Sequence, residues 1–461
     1  MVARETFAKV SPLTGETLGN YPLSSTDEAI RAVESARRAF QAWKMTTLES
    51  RGRLIRAAAR LLEDRKSELA LLVRSETGKP LADSEAEIGG AIEMGYMLAA
   101  HGRFPYGKLL PSAIPLRQTR LQRVPLGVAA LIITYNAPIP NFAWKIFPAL
   151  MAGNTVVVKP SPHTPGSADA FVSILHEAGI PPEVLHVFHG EAEAAAGLIE
   201  GGADLVSFTG SYPTGVKVLE AAAKTLAKTV IELGGSNPLV VRSDADVENA
   251  AKTAMDSAFS NAGQRCASAS RVIVHSSVLE KFLDHVQTNT EQLTVGAADE
   301  ATIGTLIDSS AAVAFEAYLQ TCADSGASVT RLGVISGESA ATVRPALVTG
   351  LDPYSEVGHT EVFGPVMRVF GFETDDQAVE IANATEFGLT AAIWSRDIVE
   401  AERMVSRIHA GVININGPTH GAEINYPFDG VKHSGNGSRD AGVEAIDAYS
   451  DVQVVSTFFG A

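Results

Sequence analysis

The sequence predicts an α/β protein: a parallel sheet with helices on both faces, a second α/β unit after it, and a few exposed strands outside them. Three observations carry this reading. Short, nearly continuous apolar runs such as "GVAALIIT" mark strands buried on both faces. Helix-period patterns separate those runs, and such alternation builds parallel sheets. The alternation then restarts after Gly235, which marks a second α/β unit.

The elements follow in order. From Asp27, "DEAIRAVESARRAFQAW" sets Ile30, Val33, Phe40 and Trp43 on one broad helical stripe after a Ser-Ser-Thr cap signal. "ESRGRLIRAAARLLEDRKSELALLVRSETGKP" reads as further helix, stopped by Gly78 and Pro80. The texture changes at "RVPLGVAALIITYNAP", where Gly127 to Thr134 is the first buried strand. "NTVVVKPS", "VLHVFHG", "ADLVSFTGS" and "KTVIELGG" repeat it. After Gly235 come "NPLVVRSDAD", a helix towards Ser260, and "SRVIVHSS". The tail "VQVVSTFFG" reads as a strand and "PLRQTRLQRV" as a polar, two-faced one. Exposed strands outside the main sheets form an edge that pairs with another subunit.

With 461 residues, 46% of them hydrophobic and 20% charged, the chain has a soluble, globular composition and room for two or three domains. A net charge of -16 argues against nucleic acid or an anionic membrane as partner. No apolar stretch approaches a membrane span, and "MVARETFAKV" lacks the apolar core of a signal peptide. Two cysteines cannot build a disulfide framework, so the expected compartment is a reducing cytoplasm.

Parallel sheets bind ligands at the carboxyl ends of their strands. Asn136, Lys159, "FTGSYPTG" and Glu232 all follow such strands. Each alone is equally a structural turn; four together point to a site. Gly210 and Gly215 frame "GSYPTG" before a helix expected to begin near Val216. Neither the Gly-x-Gly-x-x-Gly fingerprint nor a P-loop is present, yet a glycine turn into a helix N-terminus still suits a pyrophosphate.

The cysteines differ in setting. Cys322, in "YLQTCADSG", fits a buried helix residue, whereas Cys266, in "SNAGQRCASAS", stands among small polar residues directly after Arg265. A thiol becomes nucleophilic near a cation, a dipole or a base. Here "NAGQR" offers a turn, backbone donors and a guanidinium. Glu232 suits activation of the thiol or of a water, and Asn136 suits an oxyanion.

Together, "TYNAP", "KPS", "FTGS", "IELGGSNP", "NAGQRCASASR", "EVFGPV" and "PFDGVKHSGNG" resemble the aldehyde dehydrogenase superfamily, in its order and spacing, from about Ser11 to the C-terminus. The resemblance implies a Rossmann-type NAD(P)-binding domain (1–108 and 126–233), an α/β catalytic domain (234–436) and a small β oligomerisation element (109–125 and 437–461). It implies that Cys266 attacks the aldehyde, that Asn136 and the Cys266 N–H hold the oxyanion, and that Glu232 activates the hydrolytic water. Lys159, with Ser161 and Pro162 after it, resembles the lysine segment at the adenosine ribose; Gly210, Ser211 and Gly215 belong near the pyrophosphate. Leu233, Glu361 and Phe363 fall at the nicotinamide ribose and ring. Asn141, Trp144, Arg265 and Phe428 are the expected substrate pocket. The partners implied are a small-molecule aldehyde, NAD or NADP, and copies of the chain in a homodimer or homotetramer.

Three departures from the family pattern matter. Pro162 stands where members preferring NAD commonly carry an acidic residue, which leaves the choice between NAD and NADP open. Phe428-Asp429-Gly430 replaces the usual Phe-Gly-Gly and sets an extra carboxylate near the expected catalytic mouth. "GNGSRD" departs from Gly-Arg-Glu, so no proton-relay role transfers to Asp440. Trp144 favours an apolar or aromatic substrate body, and Arg265 serves either an anionic tail or structural ion pairs. The rival readings are a CoA-acylating or reductive relative and a non-catalytic structural one.

Overall fold

The computed structural model describes residues 5–104, 107–290 and 292–459; the outer ends of the expected domain ranges, 1–4 and 460–461, lie outside them. The first long helix, Thr26–Trp43, opens on a capping box: Ser25 accepts the Glu28 N–H while the Glu28 carboxylate accepts the Ser25 N–H. Its buried face is Ala29, Val33, Ala36 and Trp43, with Ile30 and Phe40 half-buried on its flanks. The helical stretch that follows is two helices, Leu48–Asp64 and Lys66–Thr77, hinged at Arg65. Gly78 ends the second at φ +77°, in the left-handed region that glycine enters without strain.

Five strands form the first sheet, all parallel, in the spatial order Leu185–Val187, Thr155–Lys159, Val128–Ile132, Leu205–Thr209, Lys228–Glu232. Every residue of its three central strands is buried, as continuous apolar runs require when helices cover both faces. The strand order reverses beside Val128–Ile132. That reversal leaves a crevice beyond the carboxyl ends of this strand and Leu205–Thr209.

Seven strands form the second sheet. Its edge strand, Ser328–Arg331, pairs antiparallel with Ala346–Thr349, while the other six run parallel. An edge strand escapes the crossover rule because a short reversal can lay it back on its neighbour.

The third sheet is antiparallel. Ser450–Phe458 pairs along its whole length with Arg117–Pro125, which pairs with Gly107–Leu110. That last strand straddles the 108/109 boundary expected from sequence. Leu109, Val454 and Phe458 on this sheet are exposed. Among the described residues no helix is long and apolar enough to cross a membrane.

The two large sheets are laced together by the chain after Phe428. Glu232, the last residue of its strand, bridges to Gly435, and the Leu233 N–H donates to Ser434 O at 2.9 Å. Phe428 and Asp440 pair with each other across the same loop. The candidate site sits in this seam.

Candidate active site

Cys266 occupies a turn between the helix Val247–Phe259 and the strand Arg271–His275. The approach to it is contorted: Asn261 and Ala262 both sit at φ +52° and Gly263 at φ +69°. A Cβ on Gly263 would fall 2.2 Å from the Gly364 carbonyl, so only glycine passes there. Asn237 Nδ2 then pins the turn, donating to Cys266 O at 2.7 Å and Ser268 O at 2.9 Å. The thiol is half-buried, whereas Cys322 is fully buried within the helix Ser309–Asp324.

The Glu232 carboxyl faces the Cys266 thiol, and its Oε1 has no hydrogen-bond partner among the described residues. Burial, and next the Glu232 charge, push the thiol well above its ordinary pKa. Burial likewise pushes Glu232 up to about 8; Lys145 opposes the shift, and Asp440 and Asp429 add to it. Both groups therefore hold their protons at neutral pH. Arg265 was expected to favour the thiolate, and here the structure differs. Its Nη1 donates to His420 Nδ1 at 3.2 Å, and His420 Nε2 meets Asp256 at 2.9 Å. The guanidinium is committed to that chain instead of the sulfur.

Asn136 is held from both ends. Its carbonyl accepts from Lys79 Nζ at 2.8 Å and Asn261 Nδ2 at 3.0 Å, and its Oδ1 accepts from Asn141 Nδ2 at 3.3 Å. The side-chain Nδ2 remains as the free end of a residue that lines the site. Asn141, expected as a substrate contact, thus also orients the amide.

Two cavities meet at the thiol. One, of about 230 Å³, lies in the crevice of the first sheet and is lined by Thr134–Asn136, Thr209–Ser211, Glu232–Gly234, Cys266, Glu361 and Phe363. The other, of about 340 Å³, lies on the opposite side, with Asn141, Trp144, Arg265, His420 and Phe428 in its wall. Asn136, Thr209, Glu232 and Cys266 belong to both.

In the first cavity Glu361 Oε1 accepts the Gly235 N–H at 3.1 Å, and a Cβ on Gly234 would fall 2.1 Å from the same carboxyl. Burial pushes Glu361 up to about 7. Gly210, Ser211, Leu233, Glu361 and Phe363 all line this cavity. Lys159, Ser161, Pro162 and Gly215 line neither cavity. Lys159 ends its strand with Nζ on Pro160 O at 3.0 Å, and burial lowers it to about 8 against the nearby Glu191 charge. Ser161 Oγ accepts the His163 N–H at 3.2 Å, closing the turn that contains Pro162.

The helix after the glycine loop begins at Tyr212, not near Val216. Ser211 has the extended backbone of an N-cap, and a proline occupies the first turn. Gly215 is therefore inside the helix, where a Cβ would fall 2.5 Å from the Leu233 side chain. In the second cavity the Trp144 and Phe428 rings stand 5.8 Å apart.

The sequence reading missed the polar network behind Glu232. Lys145 Nζ donates to Asp440 Oδ2 at 2.6 Å and Ser207 Oγ at 2.9 Å, and the Tyr449 hydroxyl donates to Ser207 Oγ at 2.9 Å. One signal was available: a lone cation in the apolar helix Pro138–Ala152, one turn beyond Asn141 and so on its face. Asp429 also differs from expectation. It is fully buried behind the site, not exposed at its mouth.

A doubly wound sheet whose crevice opens onto a thiol, a carboxyl and an amide, with a second cavity beyond them, defines an α/β enzyme with a two-sided site. The family comparison makes this particular. The chain belongs to the aldehyde dehydrogenase family, whose sequence model matches residues 1–455. It is 35% identical to 3-sulfolactaldehyde dehydrogenase of Pseudomonas putida, over 98% of this chain and 93% of that one. It is 32% identical to succinate-semialdehyde dehydrogenase [NADP(+)] of Escherichia coli K12, over 96% and 92%. Its structure matches betaine aldehyde dehydrogenase of Staphylococcus aureus, crystallised with NAD+, at a TM-score of 0.95 and 29% identity, over 99% and 92%.

Proposed function

We propose that the chain oxidises a small aldehyde to its carboxylic acid, with NAD or NADP taking the hydride and water completing the reaction. One observation carries this reading: Cys266 stands where the two cavities meet, so two different molecules reach one sulfur from opposite sides. The crevice cavity fits a nicotinamide nucleotide, since it combines a helix N-terminus at Ser211 with the Glu361 carboxyl and a glycine-bare wall at Gly234. The crystallised relative with NAD+ and the NADP-named relative support either cofactor. When bound, the nicotinamide supplies the hydride acceptor.

The chain's own residues do the rest. The Cys266 thiol gives up its proton to solvent as Sγ bonds to the aldehyde carbon. The Asn136 amide and the Cys266 N–H donate to the oxygen that gains charge. Loss of hydride leaves a thioester on Cys266. Glu232, once deprotonated, takes a proton from the water that attacks this thioester and returns it to the departing sulfur, so the acid leaves as the thiol is restored. A carboxyl in contact with the thiol favours hydrolysis over transfer to CoA, and its pairing with a thiol at two cavities disfavours a purely structural role.

Relatives named for 3-sulfolactaldehyde, succinate semialdehyde and betaine aldehyde support a small substrate, as does a cavity of about 340 Å³. The Trp144–Phe428 wall suits an apolar body, and Arg265 with His420 forms the polar side. We further read the first sheet with the N-terminal helices as the cofactor domain and the second as the catalytic domain. The antiparallel sheet would be the contact of a cytoplasmic homodimer or homotetramer. The test is nicotinamide reduction, followed by absorbance, with an aldehyde panel and both cofactors. No reduction with any aldehyde would sink the proposal.

A further inference from the structure

Asp429 is fully buried, and neither of its carboxyl oxygens has a hydrogen-bond partner among the described residues. Only the adjacent Gly430 N–H approaches the carboxyl as a donor, and an ionised carboxylate so thinly supported costs more to bury than a protonated one. The fold leaves space for it: a Cβ on Gly435 would fall 1.9 Å from Asp429 Oδ1, so the carboxyl rests on bare backbone. That backbone is the one bridged to Glu232. The cations nearby are already committed. Lys145, from the helix Pro138–Ala152, pairs with Asp440, and Arg439 donates to the Asp429 main-chain carbonyl. On the same loop Lys432 donates to Asn383 O and Thr385 O, and His433 stacks on Tyr212. Among the described residues neither Asp429 nor Glu232 has an ion pair of its own; Lys145, paired with Asp440, lowers both, and Arg439 lowers Asp429.

We propose that Asp429 is a positioning residue that holds a proton against the Gly435 backbone, and that its ionisation raises the pH at which Glu232 becomes a base. The inference rests on the reading of Glu232 as the base. Burial pushes Asp429 up to about 7, within reach of the about 8 of Glu232, and the charge on Asp429 raises Glu232. As pH rises, the first proton lost leaves a charge that retains the second. Without Asp429, Glu232 releases its proton at lower pH.

The experiment is infrared titration of the full-length protein, which needs no turnover. The band of each protonated carboxyl is assigned by its loss in Asp429→Asn or Glu232→Gln. An Asp429 band is expected on the acid side of neutrality. In Asp429→Asn the Glu232 band should vanish about half a pH unit lower, with a roughly threefold faster thioester hydrolysis on the acid limb of the rate profile. Absence of an Asp429 band, or an unmoved Glu232 midpoint, overturns the proposal. Should Asp429→Asn fail to fold, Asp429→Gly takes the same readouts. A spectroscopic shift without any thioester in the wild type would refute the role of Glu232 while leaving the coupling intact.

Discussion

Lys145 Nζ lies 2.6 Å from the Asp440 carboxylate, with both side chains almost wholly buried, and the two act on Glu232 with opposite sign. Lys145→Met removes the cation that lowers the Glu232 pKa, so the rate profile for hydrolysis should move to higher pH. Asp440→Asn removes a carboxylate that raises it and should move the profile down. Lys145→Met also strands a buried charge, at a cost of about 3–5 kcal/mol. Denaturant unfolding and a pH series of turnover check both; parallel shifts in the two variants would contradict the assignment.

Cys266→Ala should abolish turnover, and Cys322→Ala should keep it nearly intact. Cys322 is buried in a helix remote from both cavities, so its truncation affects packing only. Loss of activity in Cys322→Ala at unchanged stability would overturn the choice of nucleophile.

Glu232→Gln should still give a burst of reduced nicotinamide and then turn over slowly, since the water loses its base. In the wild type, steady turnover should rise with pH through the region of 8, because burial holds Glu232 protonated below about 8. Stopped-flow absorbance separates the phases. A burst slowed as much as the steady rate would place Glu232 at the thiol step instead.

Both cofactors should serve, with at most a modest preference. Pro162 offers no carboxylate to accept from ribose hydroxyls or to repel a 2′-phosphate, and Lys159 keeps an ammonium beside it. Pro162→Glu should lower kcat/KM for NADP much more than for NAD, by roughly tenfold. Wild-type rejection of NADP by several decades would show that another group selects; Glu191, whose charge acts on Lys159, is then the residue to replace.

Sedimentation should show a dimer or tetramer at micromolar concentration. Val452, Val454 and Phe458 lie on one exposed face of the outer strand Ser450–Phe458, an unpaired apolar edge if the chain stands alone. Val454→Lys should shift the distribution towards monomer. A stable wild-type monomer would refute the contact.

The sequence by itself determined the central strands and most helices, and it pointed to Cys266, Glu232 and Asn136. These are local signals: an apolar run bounded by turns reads as a buried strand, and polar residues at its carboxyl end fall on the crevice side, although Lys159 there lines neither cavity. Local rules also fixed what sits beside the thiol in sequence, such as Arg265, but not where its guanidinium points. The tertiary structure decided that His420, 155 residues away, takes it. It decided too that the helix after Ser211 starts early and that Gly215 makes room for Leu233. Most of all it decided the network behind Glu232. Lys145 and Asp440 lie 295 residues apart, and the reach of Asp429 to the backbone bridged to Glu232 depends on a loop crossing between two sheets. Electrostatic coupling falls with distance in space, and no pattern along the chain encodes that distance.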